Sequence, residues 1–251
     1  MGTSRASQWI VRAKINSEAR LRFFCFPYAG GNAFTFRKWS DFLPERVEIC
    51  AVQLPGRGSR IHEPPFTRIS DLVPMLAQAI IGYEDIPMAL FGHSMGAVVA
   101  FELARYLRRE RNVNVVHLFA SGRRAPQVAL DEPMTHDLPE PEFLETLRTL
   151  NGTPKEVFEH PELLDLMIPV LRADFAVCQT YSYSVEPPLD CPITAFGGLK
   201  DGEVTREQLD AWRKQTTASF CLRMLPGDHF FINLAQPVLF ELMSQDLARF
   251  I

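Results

Sequence analysis

A short apolar run, Pro87 to Phe91, enters Gly92-His93-Ser94-Met95-Gly96 and leaves as Ala97-Val98-Val99-Ala100-Phe101-Glu102-Leu103-Ala104-Arg105-Tyr106-Leu107. The run reads as a buried strand, and the tail reads as a helix. A G-x-S-x-G turn between strand and helix is the nucleophile elbow, which holds a serine strained with its hydroxyl exposed above a sheet. Gly92 and Gly96 let neighbouring backbone crowd the turn where a Cβ would clash. A bare match to the pattern could arise by chance. The strand before it and the helix after it set this one apart.

The rest of the chain repeats that alternation. Apolar runs at Leu21–Phe26, Val47–Leu54, Met88–Phe91, Val113–Ala120, Ile193–Phe196 and Phe220–Leu225 are separated mostly by helical patterns, among them Ile69–Tyr83, Ala97–Arg109 and Thr205–Gln215. Strands apolar on both sides, alternating with helices, predict an α/β fold with a mostly parallel central sheet flanked by helices. In such sheets the reactive groups sit in loops beyond the carboxyl ends of the strands. The 251 residues fit a single α/β domain over 1–251. Residues 125–183 interrupt the alternation. Phe143, Leu144, Leu147 and Leu150 fall at helical spacing, and a second helix begins near Pro161, with Pro169 inside it. This stretch is expected to be a helical lid, as against helices that simply cover the sheet.

Composition excludes several classes. A net charge of −4 gives no basic footprint for nucleic acid. No apolar run approaches the ~18 residues needed to span a membrane. Met1 to Arg12 lacks the apolar core of a signal peptide, and Ala6 stands where a myristoylation signal wants Ser or Thr. Asn151-Gly152-Thr153 is a glycosylation sequon, yet no feature routes the chain to secretion. A cytoplasmic protein is expected. Five cysteines argue against a disulfide framework, and Cys25, Cys50, Cys191 and Cys221, in or beside strand-like runs, read as buried thiols. The six histidines show no metal-ligand spacing, so no metal is expected.

A serine hydroxyl needs a base, and the base needs an acid to hold its tautomer. In α/β-hydrolases the order along the chain is Ser, then Asp or Glu, then His. His229 is the only histidine after His160, and it follows a strand-like run and the turn Pro226-Gly227-Asp228. The acid should end the preceding strand, where Phe196-Gly197-Gly198-Leu199-Lys200-Asp201 supplies Asp201. It is chosen over Glu203 and Asp228, the latter being adjacent to His229 and poorly placed to reach its ring. The oxyanion hole needs two backbone N–H groups. Met95 is one, and Ala29 in Phe26-Pro27-Tyr28-Ala29-Gly30-Gly31 is the other.

With these residues assembled, the chain resembles the type II thioesterases that accompany polyketide synthases and nonribosomal peptide synthetases. The resemblance runs from Phe23 to Phe231 and rests on four segments: Phe26-Pro27-Tyr28-Ala29-Gly30-Gly31, Leu54-Pro55-Gly56-Arg57-Gly58, Gly92-His93-Ser94-Met95-Gly96 and Gly227-Asp228-His229-Phe230-Phe231. Ser121-Gly122-Arg123-Arg124-Ala125-Pro126 also resembles the family. Gly202 stands where members often carry a second acidic residue. The resemblance implies an α/β-hydrolase fold and hydrolysis of acyl groups from the 4′-phosphopantetheine arm of acyl or peptidyl carrier domains, with no cofactor of the enzyme's own. A monomer is expected. Acidic carrier domains would want a basic surface, for which Arg123 and Arg124 are the candidates; Arg105, Arg108, Arg109 and Arg111 are expected to stay solvated at a helix end. The alternatives are a chain-terminating fatty acyl-carrier thioesterase, a free-standing carboxylesterase, and an inactive binding module.

Overall fold

Strands that are apolar on both faces must be covered on both faces, and here they are. The computed structural model describes residues 8–129, 133–150, 152 and 155–251. A sheet edge is formed by β1 (Ile10–Val11); β2 (Leu21–Phe26), β3 (Val47–Val52), β4 (Met88–His93), β5 (His117–Ser121), β6 (Ile193–Gly198) and β7 (Phe220–Leu225) follow. They form one seven-stranded sheet in the order β1-β3-β2-β4-β5-β6-β7. Every pairing from β2 to β7 is parallel, and β1 alone is antiparallel, pairing Ile10 with Val52. The two-residue strand is too short for alternation to reveal it, and it has no counterpart among the predicted strands.

Successive residues of the central strands feed two separate cores. Phe24, Phe26, Cys50, Val52 and Leu90 face the side covered by α1 (Ile69–Ile80) and α2 (Met95–Arg111). Phe23, Cys25, Ile49, Ala51 and Phe91 face the side covered by α7 (Phe231–Leu234) and α8 (Gln236–Leu247). Edge-on contacts of Phe23 and Trp39 with Phe91 fill the second layer; such pairs add about 0.5–1.5 kcal/mol beyond area burial. α2 stops where Asn112 turns left-handed at φ 53°, a conformation asparagine tolerates.

Between β5 and β6 lie α3 (Glu140–Leu150), α4 (Lys155–Phe158) and α5 (Pro161–Gln179). They hold a small core of their own around Phe143, Leu147, Ile168 and Leu171. The Asp131-Glu132 start of this stretch and the sequon residues Asn151 and Thr153 lie outside the described residues. Between β6 and β7, the helix expected over Thr205–Gln215 divides into α6 (Arg206–Asp210) and a 3-10 turn, Ala211–Gln215. Thr205 and Gln208 close a capping box at its start.

Two expectations need correction. Cys25, Cys50 and Cys191 are buried, but Cys221 is exposed, because β7 is the sheet's outer strand and has one face partly open. The arginines ending α2 are not simply solvated. Arg105 is 2% exposed, pairs with Glu102 and Glu186, and donates to the Ser184 carbonyl. Arg108 donates to the carbonyls of Pro187 and Pro188. The helix end clamps the segment that follows α5.

Candidate active site

Ser94 is the single residue between β4 and α2, held at φ 53° and ψ −115°. L-residues rarely adopt positive φ, and the strain persists only where surroundings enforce it. Its N–H donates to the Ser121 carbonyl at 2.8 Å, and its own carbonyl accepts the Ala97 N–H at 3.0 Å. Any Cβ on Gly92 would overlap the Gly96 carbonyl, and any Cβ on Gly96 would overlap the Phe26 carbonyl. The two glycines are therefore required by crowding, not by their own φ.

Beneath the turn, His93 is wholly buried. Its Nδ1 lies 2.9 Å from Ser121 Oγ, and burial, helped by the nearby His229, holds its pKa well below the ordinary value. Its ring packs 5.2 Å from that of His229. A neutral imidazole there adds no positive charge beside His229.

His229 and Asp201 arrive on interlocked turns. Lys200 N–H donates to the Gly227 carbonyl and Leu199 N–H to the Leu225 carbonyl, both at 2.8 Å, and only glycine at 198 leaves room for the Asp228 carbonyl. The Asp201 carboxylate is fully buried. Its Oδ1 accepts the Glu203 and Val204 N–H groups at 2.8 and 3.2 Å, and its Oδ2 lies 3.0 Å from His229 Nδ1. With an ionised carboxylate on that side, Nδ1 carries the proton and Nε2 is left as the acceptor. Burial by itself would lower the His229 pKa. The hydrogen bond from Asp201 and the charges of Glu203 and Asp201 outweigh it, so the pKa is raised.

The other two acids weighed from sequence go elsewhere. Asp228 Oδ1 accepts the Phe230 N–H at 2.9 Å. Glu203 approaches the opposite ring nitrogen, with Oε2 3.9 Å from Nε2.

Ser94, His229 and Ala29 line one cleft of about 100 Å³, together with Arg123, Phe175 and Cys178. Glu203, Arg124 and Leu150 also reach it. The Met95 N–H opens α2 and has no intrahelical acceptor, as first-turn amides do not. Arg123 and Arg124 follow the strand end as expected, but they form a wall of the cleft more than an open rim. Arg124 Nε donates to the Val128 carbonyl at 3.3 Å. Among the described residues no group of three potential ligands could hold a metal ion, and no helix is long and apolar enough to cross a membrane.

The thioesterase domain model matches residues 22–247. This chain belongs to the thioesterase domain family. The thioesterase is 48% identical over 244 residues to the gramicidin S biosynthesis protein GrsT of Aneurinibacillus migulanus, covering 97% of this chain and 95% of that protein. It superposes on the RedJ thioesterase of the prodiginine pathway in Streptomyces coelicolor with a TM-score of 0.86 at 40% identity, covering 94% and 95% of the two chains. The type II thioesterase BorB of the borrelidin cluster gives 0.88 at 33% identity, covering 98% of this chain and all (100%) of that one. The medium-chain S-acyl fatty acid synthase thioesterase of Homo sapiens is 32% identical over 222 residues, covering 86% and 83% of the two chains. The fold is thus that of the α/β-hydrolase thioesterases, and the protein is a hydrolytic enzyme acting on thioesters.

Sequence reasoning did not anticipate one buried pair, Arg57 with Asp174. The signal was a single carboxylate within the apolar run Leu171 to Phe175; a charge at such a position is seldom buried without a partner.

Proposed function

We propose that this thioesterase is an editing enzyme of the type II class, which releases acyl groups from the 4′-phosphopantetheine arm of acyl or peptidyl carrier domains. The observation that carries the reading is the 3.0 Å bond between Asp201 Oδ2 and His229 Nδ1, in a cleft that His229 shares with Ser94. Likeness to GrsT, RedJ and BorB supports the carrier-bound substrate.

In this mechanism His229 Nε2 takes the Ser94 proton as Oγ attacks the thioester carbonyl carbon. The Ala29 and Met95 N–H groups receive the oxyanion. As the C–S bond breaks, His229 returns the proton to the departing sulfur, freeing the pantetheine thiol. A water then attacks the acyl-serine with His229 as base again, and the carboxylic acid leaves. Asp201 keeps the tautomer and stabilises the imidazolium. The enzyme needs no cofactor, because the pantetheine belongs to the partner.

Residues 125–183 act as a lid over the cleft in this reading, since Leu150, Phe175 and Cys178 form part of its wall. Arg123 and Arg124 meet the acidic carrier domain. The enzyme works as a cytoplasmic monomer within a single domain.

The test is a panel of acyl groups loaded on one carrier protein, run beside the same acyl groups as simple esters. Preferential turnover of the carrier thioesters, with fluorophosphonate labelling lost in Ser94→Ala, is the expected result. Preference for simple esters would make the protein a carboxylesterase instead. A preference for long-chain fatty acyl carriers would favour the second reading, chain termination in fatty-acid synthesis, which the likeness to the medium-chain fatty acid synthase thioesterase supports.

A further inference from the structure

The loop that carries the Ala29 amide is tied down from two distant parts of the chain. The Asp174 carboxylate, on α5 and 2% exposed, faces Arg57, which is 6% exposed in the loop after β3. Two bonds join them, Nη1 to Oδ2 at 2.5 Å and Nη2 to Oδ1 at 2.7 Å. Asp174 Oδ2 also accepts the Gly30 N–H at 2.7 Å. Arg57 Nη1 also donates to the Gly31 carbonyl at 3.2 Å, and Arg57 Nε to the Pro55 carbonyl at 3.2 Å. Leu171, one turn before Asp174, occupies the space beside Gly30, which sits at φ 77°. Both ions therefore spend donors or acceptors on the backbone of residues 30 and 31, immediately after Ala29.

Burying an ion pair carries a desolvation penalty, and apolar side chains of similar volume usually hold a fold as well or better. Stability is thus a poor account of this pair. Its bonds bear on what an oxyanion hole requires, an N–H whose direction is set before the charge develops. We propose that Arg57 and Asp174 are positioning residues, which hold the Tyr28–Gly31 loop so that the Ala29 N–H points at the developing oxyanion. The inference rests on the serine-hydrolase reading above, with Ala29 as donor. It also makes the middle of α5 a fixed part of the site, so that any lid movement must hinge around Asp174 or lie in α3 and α4.

The test uses the full-length enzyme and an acyl-pantetheine thioester, with kcat and KM separated. It is paired with an alkyl boronic acid that adds to Ser94 and places an oxygen in the hole. Asp174→Asn, nearly isosteric, should lower kcat at least tenfold with KM within twofold, and weaken boronate binding by a similar factor. Affinity for a non-reactive amide analogue of the substrate, which develops no oxyanion, should not change. Arg57→Met with Asp174→Leu then replaces the ions by apolar packing. A folded double variant that stays slow, with KM unaltered, supports positioning. Recovery of kcat to the wild-type value overturns it, as does failure of both variants to fold, which would make the pair structural. Absence of thioester turnover by the wild-type enzyme would instead refute the functional reading on which the inference rests.

Discussion

Replacing Glu203 by Gln should shift the acid side of the pH–rate profile in a direction that the site's geometry sets. Glu203 Oε2 lies 3.9 Å from His229 Nε2, and its charge is among those that raise the His229 pKa. A general base works only when unprotonated, so a raised pKa removes activity on the acid side, and removing the charge should restore it. Unit charges ~4 Å apart interact by about 1 kcal/mol in water and about 4 kcal/mol at an effective dielectric of 20. The Glu203 side chain is 36% exposed, which places the pair near the watery limit, where measured pairs are worth roughly 0.2–1 kcal/mol. At about 1.4 kcal/mol per unit, that is a downward shift of roughly 0.2–0.7 pH unit in the acid limb of kcat/KM. Asp201 still holds Nδ1 in the variant, so the alkaline plateau should change little. The measurement is kcat/KM for an acyl-pantetheine between pH 5 and 9 at low and high salt, since screening should shrink the difference. An unmoved limb, or one displaced upward, would refute the electrostatic account of this carboxylate.

Other outcomes follow from the same geometry. Ser94→Ala should cut kcat by several orders of magnitude with the fold intact, and intact-mass analysis of the wild type should find the acyl group on Ser94. Asp201→Asn should be severe too, by about 10⁴ in kcat, because the imidazole loses the carboxylate that fixes its tautomer; near-normal turnover would exclude Asp201 as the orienting acid. Gly92→Ala should fold poorly or lose the elbow, since the added methyl meets the Gly96 carbonyl, and a thermal melt equal to wild type would contradict this. Hydrogen exchange should be faster in α3, which buries Phe143 and Leu147, than in α2, which buries most of its inner face. Equal protection would count against a mobile lid.

Much of the architecture was legible in the linear pattern because it depends on local periodicity. Runs such as Phe23 to Phe26 serve both faces of a sheet, and no polar alternation is compatible with that. The strand, glycine-flanked serine and helix around Ser94 carry their geometry in adjacent residues. So do the glycines before Asp201, whose turn brings that carboxylate, and not Asp228, to His229 Nδ1. What depends on distant residues was not legible. β1 exists only because Val52 offers a pairing edge. Cys221 is exposed because β7 has no further strand beside it. Arg105 is buried because residues 184–188 fold back over the end of α2. Arg57 and Asp174, 117 positions apart, meet only once α5 is laid across the loops after β2 and β3. Periodicity reports which face of an element is buried; which two faces then touch, and which charges must pair because they do, is decided by tertiary packing alone.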